Sequence, residues 1–147
     1  MLNQDFKEFL ELLNVKGVHY LVVGGYALSF HGHPRYTKDL DIWIEQTPKN
    51  AELMIDVLCE FGFGSLGIKS DDLLDPDQIL QFGYPPVRID VITTLSGVKF
   101  PDCYPHRARF LIDGVQLYVI DKENLIRNKR ASGRMQDLAD IELLEGK

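Results

Sequence analysis

Apolar and polar residues change their spacing along this chain, and each spacing predicts an element. Phe6, Phe9, Leu10 and Leu13 recur at helical intervals behind Asn3, a good capping residue, so the chain opens with a helix that Gly17 ends. Residues 20–23 are an unbroken apolar run, short enough for a buried central strand. Gly24 and Gly25 then turn the chain into a short helix over 26–30. Asp39 and Asp41 alternate with Leu40, Ile42 and Ile44, the period of a strand. Thr47-Pro48 starts a helix with an apolar face of Leu53, Met54, Val57, Leu58 and Phe61, and Gly62 stops it. A loop follows, with a helical turn around 71–74. Residues 79–82 read as a strand and 83–86 as a turn. Val87, Ile89 and Val91 then alternate with Arg88, Asp90 and Ile92 in a further strand.

The stretch 100–107 predicts a short helix plus loop. Asp113-Gly114 between 109–112 and 115–119 is the strongest hairpin signal in the chain. Asp121 caps a helix reaching about residue 129, and a last helix spans 134–144. Neither a repeat nor a linker interrupts the pattern, so the expectation is a single α/β domain over 1–147 with a mixed sheet.

Composition narrows this little. A length of 147 residues, 45% apolar and 26% charged, suits an ordinary globular domain. The net charge of −6 gives the molecule as a whole no attraction for polyanions, so any such partner depends on local basic clusters. Cys59 and Cys103 are far apart and form no C-x-x-C, which argues against zinc and a disulfide scaffold. The start, MLNQDFKEFLELL, is amphipathic and acidic rather than a leader, and no apolar run approaches membrane-spanning length, so a cytoplasmic protein is expected.

The chemistry gathers on the strand carboxylates. Residues i and i+2 of a strand share a face, roughly 6–7 Å apart, so Asp39 and Asp41 project together while Leu40, Ile42 and Ile44 enter the core. A like-charge pair at about 6 Å repels by roughly 3 kcal/mol at an effective dielectric of 20. Asp90 as a third acid raises the sum to about 2–8 kcal/mol, depending on exposure, against about 5–15 for a whole domain. Such a cluster suggests a divalent cation held by hard oxygen ligands; the plainer alternative is a solvated sheet face.

Gly24 and Gly25, between strand and helix, let backbone N–H groups approach a phosphate, or simply make a turn. Thr37 shares the face of Asp39 and can steady a carboxylate or a phosphate; Arg35 can meet a phosphate or a surface acid. His31 and His33 are expected as loop histidines. Trp43, on the face of Asp41, reads as a partly buried aromatic at the sheet edge before it reads as a stacking platform. Cys59 is expected as inert packing. Arg127, Lys129, Arg130 and Arg134 form a basic cluster, while Arg134, Asp137 and Asp140 are also spaced for a salt-bridged helix face. Met135, Leu138, Ile141 and Leu144 are expected in the core.

Together, Gly24-Gly25, Arg35, Thr37, Asp39-x-Asp41 and Asp90 resemble the nucleotidyltransferase superfamily typified by DNA polymerase beta. Within it the chain resembles small bacterial members that include abortive-infection-type nucleotidyltransferase toxins. Lys129, Arg134, Asp137 and Asp140 resemble a C-terminal pattern of those small proteins, so the likeness covers most of the chain. The resemblance implies a nucleotidyltransferase fold, a mixed sheet with helices packed on one face and a C-terminal helical segment. It implies transfer of NMP from an NTP, with release of pyrophosphate.

In that family two Mg²⁺ ions are bound by the first two acids, here Asp39 and Asp41, and the third acid, Asp90, helps to bind one. Those three are thus the catalytic and metal-binding candidates. Gly24, Gly25, Arg35, Thr37, Lys129 and Arg134 are the nucleotide-binding candidates. The implied acceptor is an RNA 3′ end (tRNA included), a protein hydroxyl or a small molecule, and a cognate antitoxin partner follows by analogy alone. The alternative is an inactive nucleotide-binding regulatory or interaction protein of the same fold, against which the presence of all three acids argues.

Overall fold

The computed structural model describes residues 2–34, 37–84 and 86–146. Its frame is a six-stranded mixed sheet of order β3-β4-β2-β1-β6-β5. β1 (Tyr20–Val23) and β2 (Asp39–Ile44) are antiparallel, and β2 lies parallel to β4 (Val87–Ile92). β3 (Ile79–Tyr84) closes one edge against β4. The hairpin of β5 (Ala108–Ile112) and β6 (Val115–Val119) closes the other, with β6 parallel to β1. Its tight turn has positive φ at both Asp113 (52°) and Gly114 (82°), the type I′ geometry that matches the strand twist.

Seven helices are found among the described residues: α1 (Gln4–Lys16), α2 (Gly24–Phe30), α3 (Pro48–Leu58), α4 (Ser70–Leu74), α5 (Phe100–Cys103), α6 (Lys122–Ser132) and α7 (Met135–Leu144). The caps are those the sequence predicts. Asn3 accepts from the Asp5 amide, Thr47 from Asn50 and Asp121 from Asn124. α3 runs on through a π-helical turn, Cys59–Phe63, and breaks at Gly62 with φ 106°. α6 outlasts its predicted end by three residues, to Gly133 in a left-handed C-cap.

The core unites Phe6, Phe9, Leu10 and Leu13 of α1 and Met54, Val57 and Leu58 of α3 with Leu40, Ile42, Ile44, Ile89 and Val91 of the central strands. Beyond the carboxyl end of β2, Asn50 accepts from the His19 amide (2.8 Å) and donates to the carbonyls of His19 (3.1 Å) and Glu45 (2.8 Å), pinning β1 to β2.

Three expectations are corrected. Trp43 is 1% exposed on a central strand, packed edge-on against Phe100, because β1 and β4 flank β2 on both sides. Cys59 is exposed, lying where α3 widens into the π turn. Met135 (89% exposed) and Leu138 (52%) face outward, whereas Ile141 and Leu144 are buried. No helix among the described residues is long and apolar enough to cross a membrane.

Candidate active site

Register brings the acids together. β2 and β4 run side by side with Asp41 directly opposite Asp90 and Asp39 opposite Arg88, so all four side chains share one face. Asp90 is buried, and Asp39 and Asp41 are partly exposed. Burial first, then the negative charges of Asp90 and Asp39, push the Asp41 carboxyl up to about 7. The pull of Arg88 in the other direction is weaker.

The glycine pair stands against these acids. Val23 is the register partner of Asp41, so the chain leaves β1 immediately beside it. Gly24 has φ 69°, and a Cβ there would collide with Asp41 Oδ2. A Cβ on Gly25 would come within 2.8 Å of Thr37 Oγ1. That Thr37 hydroxyl donates to the Asp39 carbonyl at 3.4 Å. Two glycines thus allow α2 to begin in contact with the acid face. Arg35 lies outside the described residues.

Arg88 is the residue sequence reasoning passed over. Its Nε donates to Asp90 Oδ1 at 3.0 Å and its Nη2 to Asp90 Oδ2 at 3.1 Å, a two-pronged fork, and Nη2 also lies 3.4 Å from Asp39 Oδ2. The period-2 reading of β4 already set Arg88 on the face of Asp90. Its position opposite Asp39 needed the β2–β4 pairing.

At the chain's other end, Lys129 and Arg134 meet acids of α7. Lys129 is 5% exposed, its Nζ 2.9 Å from Asp140 Oδ2 and 3.6 Å from Asp137 Oδ1. Arg134 Nε donates to Asp137 Oδ2 at 2.8 Å, and its side chain is otherwise largely in solvent. That hydrogen bond and the Asp137 charge hold the Arg134 guanidinium more basic than usual, with smaller contributions from Asp140 and Asp41. Arg134 therefore stands within the field of the acid face. The salt-bridged alternative is met at Arg134 and Asp137, i and i+3, and Lys129 is enclosed by Asp137 and Asp140.

A family profile described as "Nucleotidyltransferase of unknown function (DUF6036)" matches residues 1–145. The chain belongs to this family. No curated protein sequence matches the chain. Solved nucleotidyltransferase-fold structures agree with the architecture. A Thermotoga maritima protein provisionally described as a nucleotidyltransferase is 12% identical, with 96% of this chain and 88% of that one covered at a TM-score of 0.62. An antigenic nucleotidyltransferase-like protein of Paracoccidioides brasiliensis is 15% identical (94% and 72% covered, TM-score 0.58). The lincosamide antibiotic adenylyltransferase LnuA, solved with lincomycin, is 14% identical (99% and 97% covered, TM-score 0.57). At these identities the likeness is one of fold. The nucleotidyltransferase fold is thus this chain's fold, and the family implies an NTP substrate.

A nucleotidyltransferase of this kind typically uses a divalent cation, and the donor set suits one. Three carboxylates share a face, and Asp41 is pushed toward its neutral form beside two other acids. The fit is one of donor chemistry and shared face: as the side chains stand, no group of three or more His, Cys, Asp or Glu among the described residues is arranged to hold an ion, and the three carboxylates would have to turn to close on one. Arg88, forked onto Asp90 and reaching Asp39, pairs with two of the three acids.

Proposed function

We propose that this nucleotidyltransferase-family protein is an enzyme that transfers a nucleoside monophosphate from an NTP to a hydroxyl acceptor at the face formed by Asp39, Asp41 and Asp90. The observation carrying this reading is the pairing of Asp41 with Asp90 on parallel neighbouring strands, with Asp39 two residues back and Gly24 in contact with Asp41. Three acids on one face suit Mg²⁺, two ions by analogy with the superfamily. Bound there, they would neutralise the triphosphate and lower the pKa of the attacking hydroxyl.

The chain's own residues supply binding and orientation. Gly24 and Gly25 let the start of α2 lie against Asp41 and Thr37, which sets its backbone N–H groups beside the acids for a phosphate to meet. Arg134 presents an exposed guanidinium towards the triphosphate, and Arg35 precedes the acid strand in sequence. Lys129 acts through Asp137 and Asp140, holding α7 and with it Arg134 in place. In the reaction the acceptor oxygen bonds to the α-phosphorus, and the bond from that phosphorus to the bridging oxygen breaks. Pyrophosphate leaves, and the hydroxyl proton passes to the Asp90 carboxylate.

The acceptor is an RNA 3′ end, tRNA included, a protein hydroxyl or a small molecule. A relative in fold is an antibiotic adenylyltransferase, which keeps the last class in play. A cytoplasmic setting and an antitoxin partner belong to the same proposal by analogy alone. One observation favours a second reading, a nucleotide-binding regulator without turnover: Arg88 occupies both oxygens of Asp90.

Incubation with each of the four radiolabelled NTPs and total RNA, total protein or a small-molecule panel, with Mg²⁺, separates the two. Transfer of label to one acceptor class is expected, and Asp41→Asn should lower it roughly a hundredfold or more, the scale of losing one transition-state stabiliser. Nucleotide binding without transfer to any pool would favour the regulator.

A further inference from the structure

Among the described residues, Arg88 is the basic side chain whose ion pairs all lie within the acid face. It takes both oxygens of Asp90 in a fork and spans to Asp39 at 3.4 Å. A guanidinium in that position and a divalent cation on the same two carboxylates repel one another and compete for the same oxygen lone pairs, so each weakens the other's hold. Arg88 also has somewhere to go. Its side chain is 29% exposed and lines a cavity of about 540 Å³ with Phe63, Leu66, Gln81, Gly83 and Tyr84, none of them charged. A phosphate matches a guanidinium fork as well as a carboxylate does.

We propose that Arg88 is an internal counter-cation that holds Asp39 and Asp90 in the metal-free protein and is displaced from them on loading, its new partner being a phosphate oxygen of the incoming nucleotide. This rests on the nucleotidyltransferase reading of the site. The consequence is coupling. A divalent cation arriving alone must evict the guanidinium, which lowers its apparent affinity by the fraction of time Arg88 is released. A nucleotide that offers Arg88 phosphate oxygens removes that penalty, so nucleotide and cation each tighten the other's binding through a positioning residue.

The test is Mn²⁺ binding, followed by electron paramagnetic resonance of the free ion. It is run with and without α,β-methylene ATP, corrected for that analogue's own Mn²⁺ binding, on the wild type, Arg88→Gln and Arg88→Lys. In the wild type the analogue should tighten Mn²⁺ binding about fivefold or more, the lower end of ordinary coupling. Arg88→Gln should bind Mn²⁺ without nucleotide about tenfold more tightly than the wild type and lose most of the nucleotide effect. Arg88→Lys keeps the charge without the fork and should fall between them; it carries the test should the glutamine variant not fold.

Mn²⁺ affinity unchanged or weakened in both variants, in a protein that still binds nucleotide and metal, overturns the displacement of Arg88 and leaves the nucleotidyltransferase reading intact. No Mn²⁺ binding by any of the three proteins, with or without the analogue, overturns both.

Discussion

Gly24 is under two constraints that can be measured apart. Its φ of 69° is one a side chain enters only at a cost of roughly 1–2 kcal/mol, and a Cβ there would meet the Asp41 carboxylate. Gly17 has nearly the same φ, 74°, with nothing within 4 Å of its Cβ position. Gly17→Ala therefore reports the backbone cost alone. Gly24→Ala should lose more stability in urea unfolding, about 2–3 kcal/mol in total, with overpacking added to strain. It should also weaken Mn²⁺-dependent nucleotide binding, because Asp41 must turn away to admit the methyl group. Equal losses for the two variants, with nucleotide binding untouched, would show that the approach of Gly24 to Asp41 does not matter.

At the scale of elements, the α6–α7 corner stores charge inside the protein. Lys129, Asp137 and Asp140 are each 5% exposed or less, and Arg134 caps α7 against Asp137 from outside. Lys129→Met would take the buried cation from Asp140 and leave Asp137 to Arg134, and it should cost about 3–5 kcal/mol. Adding Asp137→Asn and Asp140→Asn should recover part of that loss, as read by thermal or urea unfolding. The corner also sets an acid limit. Burial pushes the Asp137 carboxyl up, but the Arg134 hydrogen bond and charge, with Lys129, outweigh it and hold the group below its ordinary range. Below the unfolded value near 4 the unfolded chain binds the extra proton, so this contribution is complete above that pH. It is lost as pH falls through the lower folded value. Urea midpoints measured downward from pH 5 should fall more steeply in the wild type than in Asp137→Asn.

This corner also marks where sequence reading stopped. Helix and strand positions followed from period and capping, because Asn3, Thr47, Asp121 and the Asp113-Gly114 turn act locally. Asp39 and Asp41 were visible for the same reason, since alternation alone sets them on one face, whereas Asp90 joined them through the family resemblance and meets them through the β2–β4 register. Which apolar helix positions are covered depends on what lies opposite, so Met135 and Leu138 were misplaced although their spacing was helical. Arg88 depends on non-local pairing. Only the parallel registration of β4 on β2 puts it opposite Asp39, and no pattern within either strand contains that fact.

For the molecule as a whole the question is how a chain of net charge −6 admits a polyanion. The basic cluster predicted near residue 130 offers little positive field, because its members are matched. Arg127 approaches Glu123 at 3.9 Å, Arg130 approaches Glu145 at 3.3 Å, and Lys129 lies between Asp137 and Asp140. Arg88 is matched in the same way by Asp39 and Asp90. An NTP approaching from a distance therefore meets net repulsion, and attraction begins only within contact range of the site. The screening length shrinks from roughly 30 Å at 0.01 M salt to about 8 Å at 0.15 M. Stopped-flow association of a fluorescent Mg-nucleotide should then accelerate severalfold over that range, the reverse of electrostatic steering. A rate that falls with salt would mean that a local cation guides the nucleotide in despite the net charge. Among the described residues Arg134 would be the first to test, since its guanidinium is largely exposed and within the field of Asp41. Arg134→Gln should leave the salt dependence unchanged if repulsion dominates, and abolish it if that one guanidinium does the guiding.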